Sequence, residues 1–115
     1  MTLAEEYIEQ IKVVNWVQQC TTVPVIHIPN QRKCSPQAGA RLKRMGVRAG
    51  VSDLFLPRGN LVHKALWLEL KTATGRASPS QMLFMKDMRL EGYAAEVAYS
   101  ADEAILYIKH FYDLT

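Results

Sequence analysis

Apolar positions along the chain recur with two different periods, and the switches between them mark its elements. Leu3, Tyr7, Ile11 and Val14 repeat at helical spacing. They predict an amphipathic helix over roughly the first 20 residues, with these side chains as its apolar stripe. Val25-Ile26-His27-Ile28 reads as a short strand, entered from Pro24 and broken by Pro29-Asn30. A basic helix is predicted from Pro36 to Met45, with Gly46 as its stop. Ser52 to Leu56 reads as a strand, Pro57-Arg58-Gly59-Asn60 as a turn, and Ala65 to Lys71 as the returning strand of a hairpin. Ser78 is placed as an N-cap with Pro79 at the first helical position, and this helix runs to Glu91 before Gly92 ends it. Tyr93 to Tyr99 is a further strand. Ser100 caps a last helix with Ala104, Ile105, Ile108 and Phe111 on one stripe. Helices and strands mixed in this order predict an α/β or α+β domain built around one sheet.

A chain of 115 residues with 49% hydrophobic content supports one real core, so residues 1–115 are expected to form a single domain. No apolar run reaches the roughly 20 residues that span a bilayer. Acids fall early in MTLAEEYIEQ, unlike a signal peptide, so an intracellular, cytoplasmic protein is expected. Cys20 and Cys34 form neither a Cys-x-x-Cys pair nor a zinc pattern and read as free thiols. His27, His63 and His110 have no sequence partner that marks a metal site, and none is assigned a role.

Charge changes the picture more. The net charge is only +3, but no Asp or Glu occurs from Gln10 to Ser52, while Lys12, Arg32, Lys33, Arg41, Lys43, Arg44 and Arg48 do. Such a stretch suits a polyanion, with Arg32, Lys33, Arg41, Lys43, Arg44 and Arg48 as candidate phosphate contacts. Asn30 can join them, although an asparagine after proline is equally a turn residue.

Carboxylates return beside this basic region. Side chains alternate along a strand, so Trp67, Glu69 and Lys71 share one face and Leu66, Leu68 and Leu70 the other. Asp53 opens the partner strand, within reach of Glu69 across the pair. Two neighbouring carboxylates repel unless a cation lies between them. Mg²⁺ or Mn²⁺ fits, because such an ion needs few protein oxygens and keeps several waters. Asp53 and Glu69 are the candidate ligands, with the Leu70 carbonyl as a further one. Lys71 can orient a water and stabilise charge on a phosphate. A lone Glu-x-Lys is ordinarily an ion pair on a strand; Asp53 at hairpin spacing sets this one apart.

The segments GVRAGVSDLFLP, LWLELK, GRASPSQ and EGYAAEV, with HIPN and the first-helix residues Glu6, Gln10 and Trp16, resemble the VRR-NUC family of the PD-(D/E)XK nuclease superfamily. The resemblance covers nearly the whole chain, in order. It implies a restriction-endonuclease-like fold, a central mixed β-sheet flanked by helices. It implies a metal-dependent DNA endonuclease that hydrolyses phosphodiester bonds, acting as a homodimer on branched DNA such as a four-way (Holliday) junction. Residue by residue, Asp53 and Glu69 match the metal carboxylates, Lys71 the active-site lysine, Gln81 the glutamine of the following helix and Glu6 the acid of the first helix. Ser52 stands where proline is frequent, and Gln31 where glycine is. Gln81 also has capping-box spacing from Ser78, and acids in a first turn favour the helix dipole whatever else they do. Two apolar stripes, Phe84-Met85-Met88 and Ile105-Ile108-Phe111-Tyr112, are the expected dimer surface, the last helix being preferred. The competing function is a non-catalytic DNA-binding module of the same fold. The intact set Asp53, Glu69 and Lys71 argues against it.

Overall fold

Leu54, Leu56, Leu66 and Leu68 are sealed from solvent and fix the middle of a four-stranded sheet. The computed structural model describes residues 3–29 and 34–114. In chain order the elements are α1 (Leu3–Cys20), β1 (Ile26–His27), α2 (Pro36–Arg44), β2 (Leu54–Leu56), β3 (Leu66–Leu70), α3 (Pro79–Leu90), β4 (Ala94–Ala98) and α4 (Ala101–Phe111). Strand order in the sheet follows chain order. The pairs β1–β2 and β2–β3 are antiparallel, with Phe55 opposite Trp67, and α3 is the crossover that makes β4 parallel to β3. Hydroxyl caps begin three helices: Ser78 for α3 and Ser100 for α4, as the sequence predicts, and Ser35 for α2.

Both faces of the sheet are covered. The leucine face packs with Val13 and Val17 of α1 and with Ala104 and Ile108 of α4. On the opposite face Trp67, Ala95 and Val97 meet Phe84, Met85 and Met88 of α3. Trp67 lies between Phe55 and Phe84, with ring centroids 4.3 and 5.0 Å away. The face that alternation assigns to Trp67, Glu69 and Lys71 is therefore also the floor of a second small core.

Two expectations about apolar stripes are corrected. Ile108, Phe84 and Met85 are buried, and Phe111 and Tyr112 are packed against the core, so the stripes of α3 and α4 are committed to the sheet and are not a free interface. In α1 the stripe is not the inward face at Tyr7 and Ile11, which are 57% and 56% exposed, while Val13 and Val17 are fully buried and Val14 packs against the core; the Leu3 side chain lies outside the described residues. The cause is rotational phase. At about 100° per residue, Ile11 points about 160° and Tyr7 about 120° away from Val13. The turn of α1 that seats Val13 and Val17 against the leucine face therefore leaves Tyr7, Ile8 and Ile11 in solvent.

The hairpin turn is tied to the C-terminal ends of the two helices on the leucine face. Arg58 donates to the Thr22 carbonyl, the Tyr112 hydroxyl donates to the Arg58 carbonyl, and Asn60 Nδ2 donates to the Phe111 carbonyl. The opposite end of the sheet, where β2 begins and β3 ends, is left open. Helix α2 stands apart, with none of its residues buried. Cys20 and Cys34 are free and exposed. Among the described residues no helix is long and apolar enough to cross a membrane.

Ile108 and Ile11 occupy equivalent positions in the sequence pattern but not in the fold. Ile108→Ala is expected to destabilise by about 2–5 kcal/mol and Ile11→Ala by less than about 0.5 kcal/mol, as read from urea unfolding.

Candidate active site

The register of the hairpin places the site. Leu54 pairs with Leu68, so Asp53, one residue ahead of β2, meets Glu69. The two residues are joined through the backbone: Asp53 N–H donates to Glu69 Oε2 at 3.2 Å, and Leu70 N–H donates to Asp53 Oδ2 at 2.9 Å. Leu70 thus meets the site through its N–H, while its side chain belongs to the leucine core.

Helix α3 approaches from the other side. The Gln81 side chain completes a capping box, its Oε1 accepting from Ser78 N–H at 2.8 Å while Ser78 Oγ accepts from Gln81 N–H. That bond fixes the amide orientation, because only Nε2 remains to face Glu69, and it donates to Glu69 Oε1 at 2.9 Å. The approach depends on Gly50, which has φ +84° and lies so close to α3 that a Cβ there would come within 2.4 Å of the Ser80 backbone. Asp53, Glu69, Gly50, Val51, Ser78, Ser80 and Gln81 enclose a cavity of about 90 Å³.

Lys71 lies beyond the end of β3, where its N–H continues the parallel ladder by donating to Ala98 O. Its ammonium is 3.8 Å from Glu69 Oε1. On the far flank His27 of β1 places Nδ1 3.0 Å from the Asp53 carbonyl oxygen, which also accepts from Ile28 N–H at 2.8 Å.

Residues 2–102 match the family model of the VRR-NUC domain. The chain belongs to the VRR-NUC family. A solved structure of a VRR_NUC domain protein is similar over 99% of this chain and 93% of its own, at 29% identity and a TM-score of 0.81. No match is found among functionally curated proteins. Membership makes this a nuclease-type domain that acts on DNA, in a family of nucleases that generally use divalent metals. The mixed sheet flanked by helices is the nuclease-like fold that the sequence resemblance implied.

In this VRR-NUC chain the carboxylate pair is electrostatically tense. Glu69 is 1% exposed. Burial, and then the charge of Asp53, push its pKa up from 4.5 to about 8. Burial also raises Asp53, against the opposing pulls of the Leu70 N–H, Glu69, Lys71 and His27. Both shifts have one root, the placing of two carboxylates side by side away from solvent.

The structure gathers Asp53, Glu69, Lys71 and Gln81 into one constellation. Glu6 is not drawn into it: it is half-buried on the face of α1 shared with Gln10, Val13 and Val17, and among the described residues no three His, Cys, Asp or Glu side chains lie close enough to hold a metal. Of the candidate DNA contacts, Arg41, Lys43 and Arg44 are exposed on the last turn of α2. Arg48 is engaged instead by Asp87 at 2.6 Å and lies over the Phe84 ring. Asn30, Arg32 and Lys33 fall outside the described residues. Sequence reading passed over His27. The one signal available was a histidine in a strand bordering the hairpin, and it gained meaning only when β1 was seen to pair with β2.

Glu69 binds its proton more tightly in the folded protein than in the unfolded chain, so the stability this adds is complete below about pH 4.5 and is lost as pH rises through about 8. In EDTA, the melting midpoint of the wild-type protein should fall across that window. Glu69→Gln should flatten the fall, as measured by differential scanning calorimetry at a series of pH values.

Proposed function

We propose that this VRR-NUC domain, residues 1–115, is a Mg²⁺- or Mn²⁺-dependent endodeoxyribonuclease that hydrolyses phosphodiester bonds in branched DNA, a four-way junction above all, and works as a homodimer. The observation that carries the metal-dependent cleavage is the Asp53–Glu69 pair closing on a small polar cavity. The buried Glu69 carboxylate beside the half-buried Asp53 carboxylate marks a place where a hard cation can sit between two like charges. The donor set fits such an ion: carboxylate oxygens with room for waters, and neither His nor Cys ligands at zinc geometry.

Asp53 and Glu69 would hold the ion. When bound, it supplies Lewis-acid polarisation of the phosphate and makes a nearby water more acidic. Lys71 places a positive charge beside Glu69 at the open end of the sheet, where it can orient the attacking water and stabilise charge developing on the phosphate. Gln81 supports Glu69 and leaves α3 fixed against the site. The exposed Arg41, Lys43 and Arg44 carry the DNA backbone without reading bases. The non-catalytic alternative leaves the burial of Glu69 beside Asp53 without a purpose, since burying like charges is costly.

Selectivity for branched DNA follows from the family resemblance and from a dimer that would hold two sites at fixed separation. The exposed apolar residues Tyr7, Ile8 and Ile11 of α1 favour that helix as the dimer surface, in place of the stripes on α3 and α4.

Cleavage of a panel of junction, flap, splayed and linear DNA tests the function directly. The wild-type protein should cut the junction, in paired incisions, with Mg²⁺ or Mn²⁺ and not with EDTA. Asp53→Asn and Lys71→Ala should each lose on the order of 10²-fold or more in rate, and Asp53→Asn should bind DNA normally. Equal cutting in EDTA, or an Asp53→Asn variant within a few-fold of wild type, would refute the assignment.

DNA affinity should fall steeply with salt. Replacing Arg41, Lys43 and Arg44 together by alanine should reduce the slope of log Kd against log salt by about 1 for each phosphate contact removed. An unchanged slope would place the DNA elsewhere.

A further inference from the structure

We propose that His27 is a positioning residue of this active site: through Nδ1 it holds the Asp53 carbonyl and so fixes the backbone from which the Asp53 carboxylate is presented. The proposal rests on the reading of Asp53 as a metal ligand.

The geometry carries it. A carbonyl oxygen can only accept, so at 3.0 Å the His27 nitrogen facing it must be the donor, which fixes the tautomer with hydrogen on Nδ1. The same carbonyl accepts from the N–H of Ile28, the residue after β1, so Asp53 O is held twice from that side. Its N–H is held by Glu69 and its Oδ2 by Leu70 N–H. Asp53 is thus fastened from both neighbouring strands.

Such fastening is needed where Asp53 stands. The residue precedes β2 and is reached through the loop that begins at Gly46, so strand pairing alone does not hold it. Its carboxylate is pressed toward another carboxylate, which pushes it away. His27 has little else to do. Both residues of β1 are solvent-exposed, so the imidazole is not there to fill a core. A side chain on an edge strand that makes one directed bond to the backbone of a reactive carboxylate resembles in its physics the partners that orient metal ligands, whose loss typically costs 10–100-fold in metal affinity or activity.

The test pairs two amides that separate the ring nitrogens. An asparagine amide nitrogen overlays Nδ1 of histidine, and a glutamine amide nitrogen overlays Nε2. Mn²⁺ affinity is measured by calorimetry without DNA, and junction cleavage is measured alongside. His27→Ala should weaken Mn²⁺ binding and lower kcat by about 10-fold each, with KM and the salt slope of DNA binding unchanged. His27→Asn should restore most of both losses and His27→Gln should not. Because the β1 side chains are exposed, all three variants should melt within about 3 °C of wild type. Full Mn²⁺ affinity in His27→Ala overturns the proposal. So does rescue by glutamine alone, or a salt slope that falls by about 1, either of which would make His27 a phosphate contact. A wild-type protein that neither binds Mn²⁺ nor cuts DNA sinks the metal-site reading, and this proposal with it.

Discussion

Asp53 and Glu69 repel one another, and the fold is organised so that they stay together nonetheless. An isolated carboxylate at the depth of Glu69 would leave or take up a proton. Here each is restrained by bonds that do not depend on its own charge being neutralised. Asp53 N–H reaches the Glu69 carboxylate and Leu70 N–H reaches the Asp53 carboxylate, so the antiparallel pair of strands supplies the opposing donors. Burial and the neighbouring Asp53 push Glu69 up to about 8, the electrostatic mark of the crowding that these bonds hold in place. An active site of this kind holds its tension in the ground state, and the surrounding elements can be understood by how they bear it.

Helix α3 bears the largest share. Its first turn is built twice over: Ser78 and Gln81 cap the helix reciprocally, and the same Gln81 side chain holds Glu69. One glutamine therefore serves helix stability and site geometry together, and neither role displaces the other. Its second face, Phe84, Met85 and Met88 against Trp67 and Val97, anchors the helix to the sheet so that the cap cannot drift. Gly50 allows the loop before Asp53 to press against Ser80, and the exposed pair Arg48–Asp87 fastens that loop further along the helix. A surface ion pair of this kind contributes little to stability. Its effect here is to occupy Arg48, whereas Arg41, Lys43 and Arg44 stay exposed on α2.

The division of labour between the ends of the sheet is equally physical. At the hairpin end Arg58, Asn60 and Tyr112 satisfy one another and the ends of α1 and α4, which closes that pole. At the carboxylate end the strands stop, and α2 stands off with no buried residue. None of its residues is buried, so its basic side chains face solvent and their charge costs the core nothing.

Local chemistry was legible in the amino-acid sequence. Hydroxyl caps, Gly46 and Gly92 as helix stops, the Pro57–Asn60 turn and the period-two leucines are determined by backbone preferences within a few residues, and the elements they mark fall where expected. The Asp53, Glu69, Lys71 and Gln81 constellation was legible too, because hairpin pairing and the capping box are short-range geometry. Other features depended on contacts between distant segments. Tyr7 and Ile11 had the spacing of a core stripe, yet α1 turns Val13 and Val17 to the core instead. Phe84 and Ile108 had the look of a free surface, yet each covers one face of that sheet. Glu6 shared a pattern with the site and is not joined to it among the described residues. His27 was legible only as a histidine in a strand bordering the hairpin, and it gained meaning when β1 paired with β2. Periodicity states that a helix has an apolar side; which partner lies there, and which turn of the helix meets it, is decided only when the strands and helices pack together.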